Sequence, residues 1–137
     1  ISNGQILLGK RSNEPLKGQW FTPGGRIHKN ESWQAELHRI VLGELGLPPG
    51  ACAHFDLMGV WNHFYSNSGP NESISTRYVN QPHFVRFLSK PTVLGDDQRD
   101  TWGWFDLDKV VRDKDFHQHV RDYAGYLINK GVHDVRN

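Results

Sequence analysis

One acidic residue, Glu44, lies where a carboxylate is costly to place. The spacing from Trp33 to Leu45 is helical, and at about 100° per residue Glu44 falls inside the apolar stripe, between Leu37 and Ile40. The stripe consists of Trp33, Leu37, Ile40 and Val41. A buried unpaired carboxylate is unfavourable, and the helix dipole disfavours negative charge in the last turn. The sequence therefore predicts that a cation compensates Glu44, and either a divalent metal or an arginine would serve.

Turn and cap signals flank this helix. Asn30 can cap its start with Glu31 in the first turn, and Gly46 suits the left-handed residue that follows a helix. The stretch Pro23–Gly25 predicts a tight turn whose backbone can approach a ligand closely. A glycine turn followed by a helix with one inward carboxylate can offer a carbonyl oxygen and a carboxylate to one hard cation.

The stretch from Gly25 to Leu47 resembles the signature of the Nudix family, G-x5-E-x7-R-E-U-x-E-E-x-G-U, where U is aliphatic. The matching residues are Gly25, Glu31, Arg39, Glu44, Gly46 and Leu47. Ile40 and Gly43 occupy positions where the signature has glutamates, so only Glu44 remains of its carboxylate cluster. This reduced signature is similar to that of the GDP-mannose mannosyl hydrolase branch, which cleaves the sugar C–O bond. Shorter stretches that agree with this branch are Leu8–Arg11, Trp20-Phe21, Gly59–Trp61, His63–Tyr65, Tyr78-Val79 and Asp97-Gln98.

The resemblance implies an α/β (α+β) Nudix fold, in which a mixed β-sheet is sandwiched between helices. The whole chain, 1–137, is then a single domain, and the turn-like start at Ile1–Gly4 predicts that the first strand of the fold precedes this sequence. The implied reaction is Mg²⁺-dependent hydrolysis of GDP-mannose to GDP and mannose, by water attack at the anomeric carbon with inversion. A homodimer is expected on the same ground. The alternatives are attack on phosphorus of another nucleotide sugar, and a nucleotide-sugar-binding domain without catalysis.

The same resemblance assigns site residues. Gly24, Glu44 and Gln98 are metal ligands. Arg11 and Arg26 contact the diphosphate, His63 lines the site, and Tyr78 lies near the leaving phosphate. From the residues alone, each of these side chains could instead have a purely structural role. Arg11 can be a solvated strand end, and Arg26 can pair with Glu31. His63 can be a packed residue, and Tyr78 can be an ordinary strand tyrosine.

The general base is a separate question. Arg99 occupies the position of the histidine that the family uses as the base. Arginine stays protonated and cannot accept the proton of the attacking water. His63 is therefore the first candidate for the base, His83 the second, and a carboxylate that precedes this sequence the third.

The bulk composition limits the other function classes. The 137 residues carry a formal net charge of +1, and 23% of them are charged, so no general attraction to nucleic acid or to a membrane is expected. Mean hydropathy is -0.64 and no apolar run approaches the length of a membrane span. The single cysteine, Cys52, excludes an internal disulfide and fits a reducing, cytoplasmic compartment.

The remaining elements are read from periodicity and turn residues. Residues 5–11, 54–66, 74–80, 83–88 and 101–105 are predicted strands, with an interruption at Gln81-Pro82. Residues 67–73 form a polar loop that could act as a flap. Asp106–Asp108 can start a short helix, and Phe116–Asn129 predicts a longer one with Val120, Tyr123 and Leu127 on its apolar side. His117 and His119 are expected on the surface.

Overall fold

The computed structural model describes residues 1–13, 16–48, 55–65, 75–87, 89–93 and 101–131. These residues form strands β1 (Gln5–Lys10), β2 (Trp20–Phe21), β3 (Asp56–Leu57), β4 (Trp61–Tyr65), β5 (Thr76–Asn80), β6 (His83–Phe84) and β7 (Trp102–Asp106), and helices α1 (Trp33–Gly43), α2 (Leu107–Arg112) and α3 (Gln118–Asn129). These elements confirm the predicted α+β class. The predictions for the loop 67–73, Gln98 and Arg99 lie outside the described residues.

Strand β1 is the centre of the fold. It pairs antiparallel with β2 on one side and with β7 on the other. Ile6 and Leu8 point to one face and belong to the core formed with α2 and α3. Leu7 points to the opposite face and packs with Val41 of α1. Because successive strand residues alternate between faces, burial on both sides means that helices cover both faces of this sheet.

The remaining strands form a bent antiparallel ribbon. β4 pairs with β5, and β3 pairs with β6. The predicted strand 54–66 is broken at 58–60, where Gly59 has φ 105°. The predicted interruption at Gln81-Pro82 is confirmed and lies opposite this break, because the Met58 N–H donates to the Pro82 carbonyl at 2.8 Å. Proline has no N–H for the ladder, so both chains bend at the same level.

Helix α1 begins and ends close to where the sequence indicates. Its cap is Ser32, whose hydroxyl accepts from the Ala35 N–H at 3.1 Å. The prediction of an Asn30 cap is wrong, because Asn30 belongs to the preceding turn, where its φ is 65°. The prediction for Gly46 is confirmed: its φ is 66°, and the Leu47 N–H then closes the helix end on the Val41 carbonyl at 3.2 Å.

Helix α3 starts two residues later than predicted, and this changes the position of two histidines. His117 is the N-cap, and its ring Nδ1 accepts from the His119 N–H at 3.0 Å. Both rings are half-buried, and the His119 ring stacks on that of His63 with centroids 3.7 Å apart. The prediction that His117 and His119 lie on the surface is wrong, because the cap folds the first ring back against the second. Val120, Tyr123 and Leu127 are buried as predicted.

The first residues form the predicted hairpin turn. Ser2 and Gln5 exchange two backbone hydrogen bonds of 3.0 and 2.9 Å, while Asn3 and Gly4 both have positive φ. Ile1 donates to the Val85 carbonyl and accepts from the Phe87 N–H. This is the pattern by which a residue joins a neighbouring strand in parallel. None of the helices in the described part of the chain is both long and apolar enough to cross a membrane.

Candidate active site

A broad groove of about 1240 Å³ runs between α1, the segment 22–28 and strands β5 and β6. Among its lining residues are Arg11, Gly24, Arg26, Glu36, Glu44 and Tyr78. The structure therefore brings together five of the residues expected from the sequence, and it adds Glu36. His63 is not among the lining residues, and Gln98 and Arg99 are outside the described part of the chain.

The acidic end of the groove is formed by α1 and the glycine pair. Glu44 follows α1 directly and is half-buried, and its Oε2 accepts from the Gly24 N–H at 3.1 Å. The expectation of a tight turn at Pro23–Gly25 is wrong, because residues 22–28 run without a turn and neither glycine has a positive φ. A Cβ atom on Gly24 would meet no atom within 4 Å. Gly24 is thus open to the approach of another molecule, although the local backbone does not require a glycine.

Glu36 is a second carboxylate at this end. Its side chain is 7% exposed, and its Oε1 lies 3.6 Å from the place that a Cβ on Gly25 would occupy. Burial raises the pKa of Glu36 above the ordinary 4.5; the positive charge of Arg39 opposes this, and the negative charges of Glu31 and Glu44 add to it. Glu36 is not among the site residues expected from the sequence. Glu36 is four residues before Ile40, so the two side chains lie on one face of the helix. This spacing could have indicated that Glu36 is buried.

Arg39 holds the loop before the helix against α1. Its Nε and Nη2 donate to the Glu31 carboxylate at 2.9 and 3.1 Å, and Nη2 also donates to the Arg26 carbonyl at 2.8 Å. Glu31 in turn accepts from the His28 N–H at 3.0 Å. The hydrogen bond from Arg39, followed by that from His28, lowers the pKa of Glu31 to about 2. This pair stays ionised over the working pH range and fixes the position of Arg26.

The cationic part of the groove is centred on Arg26. Its Nη2 donates to the Tyr78 hydroxyl at 2.8 Å, and the guanidinium carbon lies 5.5 Å from the centre of the Tyr78 ring. The alternative, an ion pair between Arg26 and Glu31, is not present, because the Glu31 carboxylate is bound by Arg39. Arg26 and Tyr78 therefore act as one unit.

Arg11 lies near the same aromatic residues. The ring of Tyr65 is 5.6 Å from that of Tyr78. Burial raises the pKa of Tyr65 to about 12, and the positive charge of Arg11 acts in the opposite direction. Two arginines thus approach one tyrosine pair on the groove wall.

His63 is packed inside the protein. It is 1% exposed, its Nδ1 accepts from the Asn80 amide, and its Nε2 lies 3.3 Å from the Tyr123 hydroxyl. Burial lowers its pKa to about 4, assisted by the charges of His119 and His117. The expected site-lining role is contradicted by this position, because β4 turns the side chain into the core. The alternative reading, a packed histidine with satisfied ring nitrogens, is the one that fits.

His83, the second candidate base, lines the groove. Its ring stacks on Trp33 with centroids 5.1 Å apart and an angle of 17° between the planes. Its Nδ1 is 2.7 Å from the Gln81 carbonyl oxygen. A carbonyl can only accept, so Nδ1 carries the proton and Nε2 of the neutral ring keeps its lone pair.

Comparison with known proteins identifies the family. A family model described as the NUDIX domain matches residues 1–124. The chain belongs to the Nudix family. Low-salt glycan biosynthesis protein Agl8 of Haloferax volcanii is 38% identical over 76 residues, which are 56% of this chain and 47% of that protein. The RNA pyrophosphohydrolase of Pasteurella multocida is 29% identical over 113 residues, or 82% of this chain and 46% of that protein. The chain thus spans about half the length of these curated relatives.

A solved structure agrees over nearly the full length. The crystal structure of a MutT NUDIX hydrolase from Burkholderia pseudomallei matches with a TM-score of 0.71 and 25% identity, covering 93% of this chain and 91% of that one. The likeness extends well beyond α1 to the β-sheet and the C-terminal helices.

Nudix hydrolases generally use divalent metal ions such as Mg²⁺ or Mn²⁺. Within the described residues, no three histidine, cysteine or acidic side chains are grouped as a metal cage. Mg²⁺ does not require such a cage, because it commonly takes one or two protein carboxylates and completes its shell with water and substrate phosphates. Glu44, Glu36 and the carbonyl oxygen of Gly24 fit that kind of donor set.

Proposed function

We propose that this domain hydrolyses a nucleotide sugar, GDP-mannose, to GDP and mannose, by Mg²⁺-dependent attack of water at the anomeric carbon with inversion. The observation that carries the proposal is the division of one groove into an acidic and a basic part. Glu44 lies at Gly24, and Arg26 is held by Tyr78 on the same groove. A nucleoside diphosphate matches both parts, because its oxygens can bind a cation and accept hydrogen bonds from arginine.

The basic part would bind the diphosphate of the substrate. Arg26 uses one Nη2 hydrogen bond on Tyr78, which leaves other N–H groups of its guanidinium for phosphate oxygens. Arg11 approaches from the side of Tyr65. Both guanidinium groups would stabilise the negative charge that develops on the departing diphosphate. Mg²⁺, when bound by Glu44 and the Gly24 carbonyl, would supply further neutralisation of that charge.

The reduced acid set favours cleavage at the sugar. Ile40 is a buried apolar residue and Gly43 has no side chain, so two positions of the signature offer no carboxylate. A full cluster can gather metals that organise water for attack on phosphorus. With fewer acids, stabilisation of the leaving diphosphate becomes the main contribution. The sugar then develops oxocarbenium character, and a base delivers water from the opposite face.

We assign the general base to His83. It lines the groove, and its Nε2 keeps a lone pair that can accept the proton of the attacking water. His63, the first candidate from the sequence, is buried with its ring nitrogens bonded to Asn80 and Tyr123, so it cannot receive that proton without opening the core.

The likeness to RNA pyrophosphohydrolases favours a second reaction, attack of water on phosphorus. RNA pyrophosphohydrolases match most of this chain, and their name states hydrolysis of a pyrophosphate, which corresponds to attack on phosphorus. The likeness to Agl8, which is named for glycan biosynthesis, supports a sugar-containing substrate instead.

Hydrolysis of GDP-mannose in ¹⁸O-water with Mg²⁺ distinguishes the two reactions. Under the proposal, the label enters free mannose, and NMR shows the β-anomer as the first product. Label in GMP or in mannose phosphate would mean attack on phosphorus and would overturn the proposal. Glu44→Gln should abolish turnover, whereas Asp56→Asn, which changes an exposed carboxylate outside the groove, should retain it.

The substrate is tested with a panel of nucleotide sugars under the same conditions. GDP-mannose should give the highest kcat/KM of the panel. Binding of GDP-mannose without turnover of any substrate would mean a binding domain and would also overturn the proposal. We expect a homodimer in solution, which light scattering measures.

A further inference from the structure

We propose that Glu36 is a second carboxylate ligand of the divalent cation in the groove, in place of the glutamates that the Nudix signature has at Ile40 and Gly43. The inference rests on the proposed function, because it requires that the groove binds a divalent cation. It concerns a residue outside the signature, one helical turn before Ile40.

The first support is that Glu36 is buried without a hydrogen-bonding partner. The side chain is 7% exposed and lines the groove. Among the described residues, its carboxylate makes no hydrogen bond or ion pair. A carboxylate that is largely withdrawn from water and has no hydrogen-bond donor is unfavourable, so its place on the groove wall points to a cation that binds there.

The second support is the position of Glu36 relative to Glu44. Glu44 contacts Gly24 through a hydrogen bond of 3.1 Å, and Glu36 lies against Gly25, the next residue. The two carboxylates therefore flank one glycine pair along the same groove. Their charges repel, and the charge of Glu44 is one of the causes that raise the pKa of Glu36. A divalent cation bound at the glycine pair would remove this repulsion.

The third support is that the nearest arginine is already engaged. Arg39 lies close to Glu36, with its Nη1 3.8 Å from the Cβ position of Gly25. Its Nε and Nη2 are bound to Glu31 and to the Arg26 carbonyl. Arg39 thus forms its hydrogen bonds with Glu31 and the Arg26 carbonyl and acts on Glu36 through its charge, so that the oxygen atoms of Glu36 remain for a cation.

The test measures binding of Mn²⁺ alone, by the EPR signal of the free ion, in four proteins. These are the unmodified domain, Glu36→Gln, Glu44→Gln and, as a matched charge control, Asp56→Asn. We expect Glu36→Gln to raise the Kd for Mn²⁺ by about 10-fold or more, as even the loss of an outer-shell partner does. Asp56→Asn, which removes an exposed carboxylate away from the groove, should leave the Kd unchanged.

Thermal unfolding gives a second readout that separates a ligand from a structural residue. A buried carboxylate kept for a cation destabilises the metal-free protein, so Glu36→Gln should raise the metal-free Tm and reduce the gain in Tm on addition of Mn²⁺. A carboxylate that stabilises the fold would behave in the opposite way, and a lower metal-free Tm in Glu36→Gln would overturn the inference.

The outcomes also separate this inference from the proposed function. If Glu44→Gln weakens Mn²⁺ binding but Glu36→Gln does not, the role of Glu36 is refuted and the proposed metal-dependent reaction stands. If the unmodified domain binds no Mn²⁺, both fail. Glu36→Asp, which keeps the charge on a shorter side chain, should bind Mn²⁺ more tightly than Glu36→Gln.

Discussion

Acid should destabilise this domain through His63. The ring is 1% exposed and stacks on His119, so a proton on it has neither water nor an anion in direct contact. The neighbouring titratable groups are His117, His119, Asp122, Tyr123 and Tyr65. Of these, only Asp122 favours the charged ring. Folding therefore holds His63 neutral.

The magnitude follows from the two pKa values. Burial lowers the pKa of His63 from 6.5 to about 4 in the folded state. Between these values the unfolded chain binds a proton that the folded protein does not, so stability is lost as pH falls. The difference of about 2.5 pH units corresponds to about 3 kcal/mol of unfolding free energy. That is a large share of the roughly 5–15 kcal/mol that stabilises a typical domain.

Urea unfolding at several pH values between about 7 and 4 measures this loss. The unmodified domain should lose about 3 kcal/mol more than His63→Gln over that range, because glutamine does not titrate. His28→Gln is the matched control: it replaces an exposed histidine and should retain the full pH dependence. Equal losses in the unmodified domain and His63→Gln would refute the reasoning, whatever the stability of the variant at neutral pH.

Three further substitutions test separate parts of the structure. His83→Ala should lower kcat by about 100-fold or more in the hydrolysis assay if His83 is the base, while His38→Ala, which changes an exposed histidine outside the groove, should not. Tyr78→Phe removes the hydroxyl that holds Arg26, so KM should rise about 3- to 10-fold with little change in Tm, as measured by steady-state kinetics and circular dichroism. Gly46→Ala forces a side chain into φ 66° and should cost about 1 kcal/mol, seen in urea unfolding.

The sequence predicts the parts of the site that depend on local signals. The helical period places Glu44 on the inward side of α1, and the glycine after the helix marks its end at Gly46. The interruption at Gln81-Pro82 follows from proline chemistry and is present in the ribbon. In each case a few adjacent residues determine the backbone, so no knowledge of distant contacts is needed.

The parts that could not be predicted depend on what packs against each element. Trp33 belongs to the apolar stripe of α1 but is 41% exposed, because it lies in the first turn, where its ring stacks on His83 at the groove edge. Glu36 is buried instead, beside Gly25. The helical periodicity predicts which residues share a face of the helix. Which of these residues are buried depends on the segments that pack against that face. The burial of His63 has the same cause.

Arg39 connects the two parts of the groove and also determines their charge. It is anchored on α1 between Glu36 and Glu44, and it holds the backbone of Arg26 by its carbonyl oxygen. Without Glu31, the hydrogen-bond donors of the guanidinium would be available to Glu36 and would compete with a metal ion there. Because Glu31 binds Arg39 in two hydrogen bonds, the hydrogen-bond donors of the arginine position the acidic and basic groups, and its charge partly offsets that of Glu36. The Arg39–Glu31 pair thus explains how carboxylates and arginines line the same groove without pairing with each other, so that both can bind a metal-bound diphosphate.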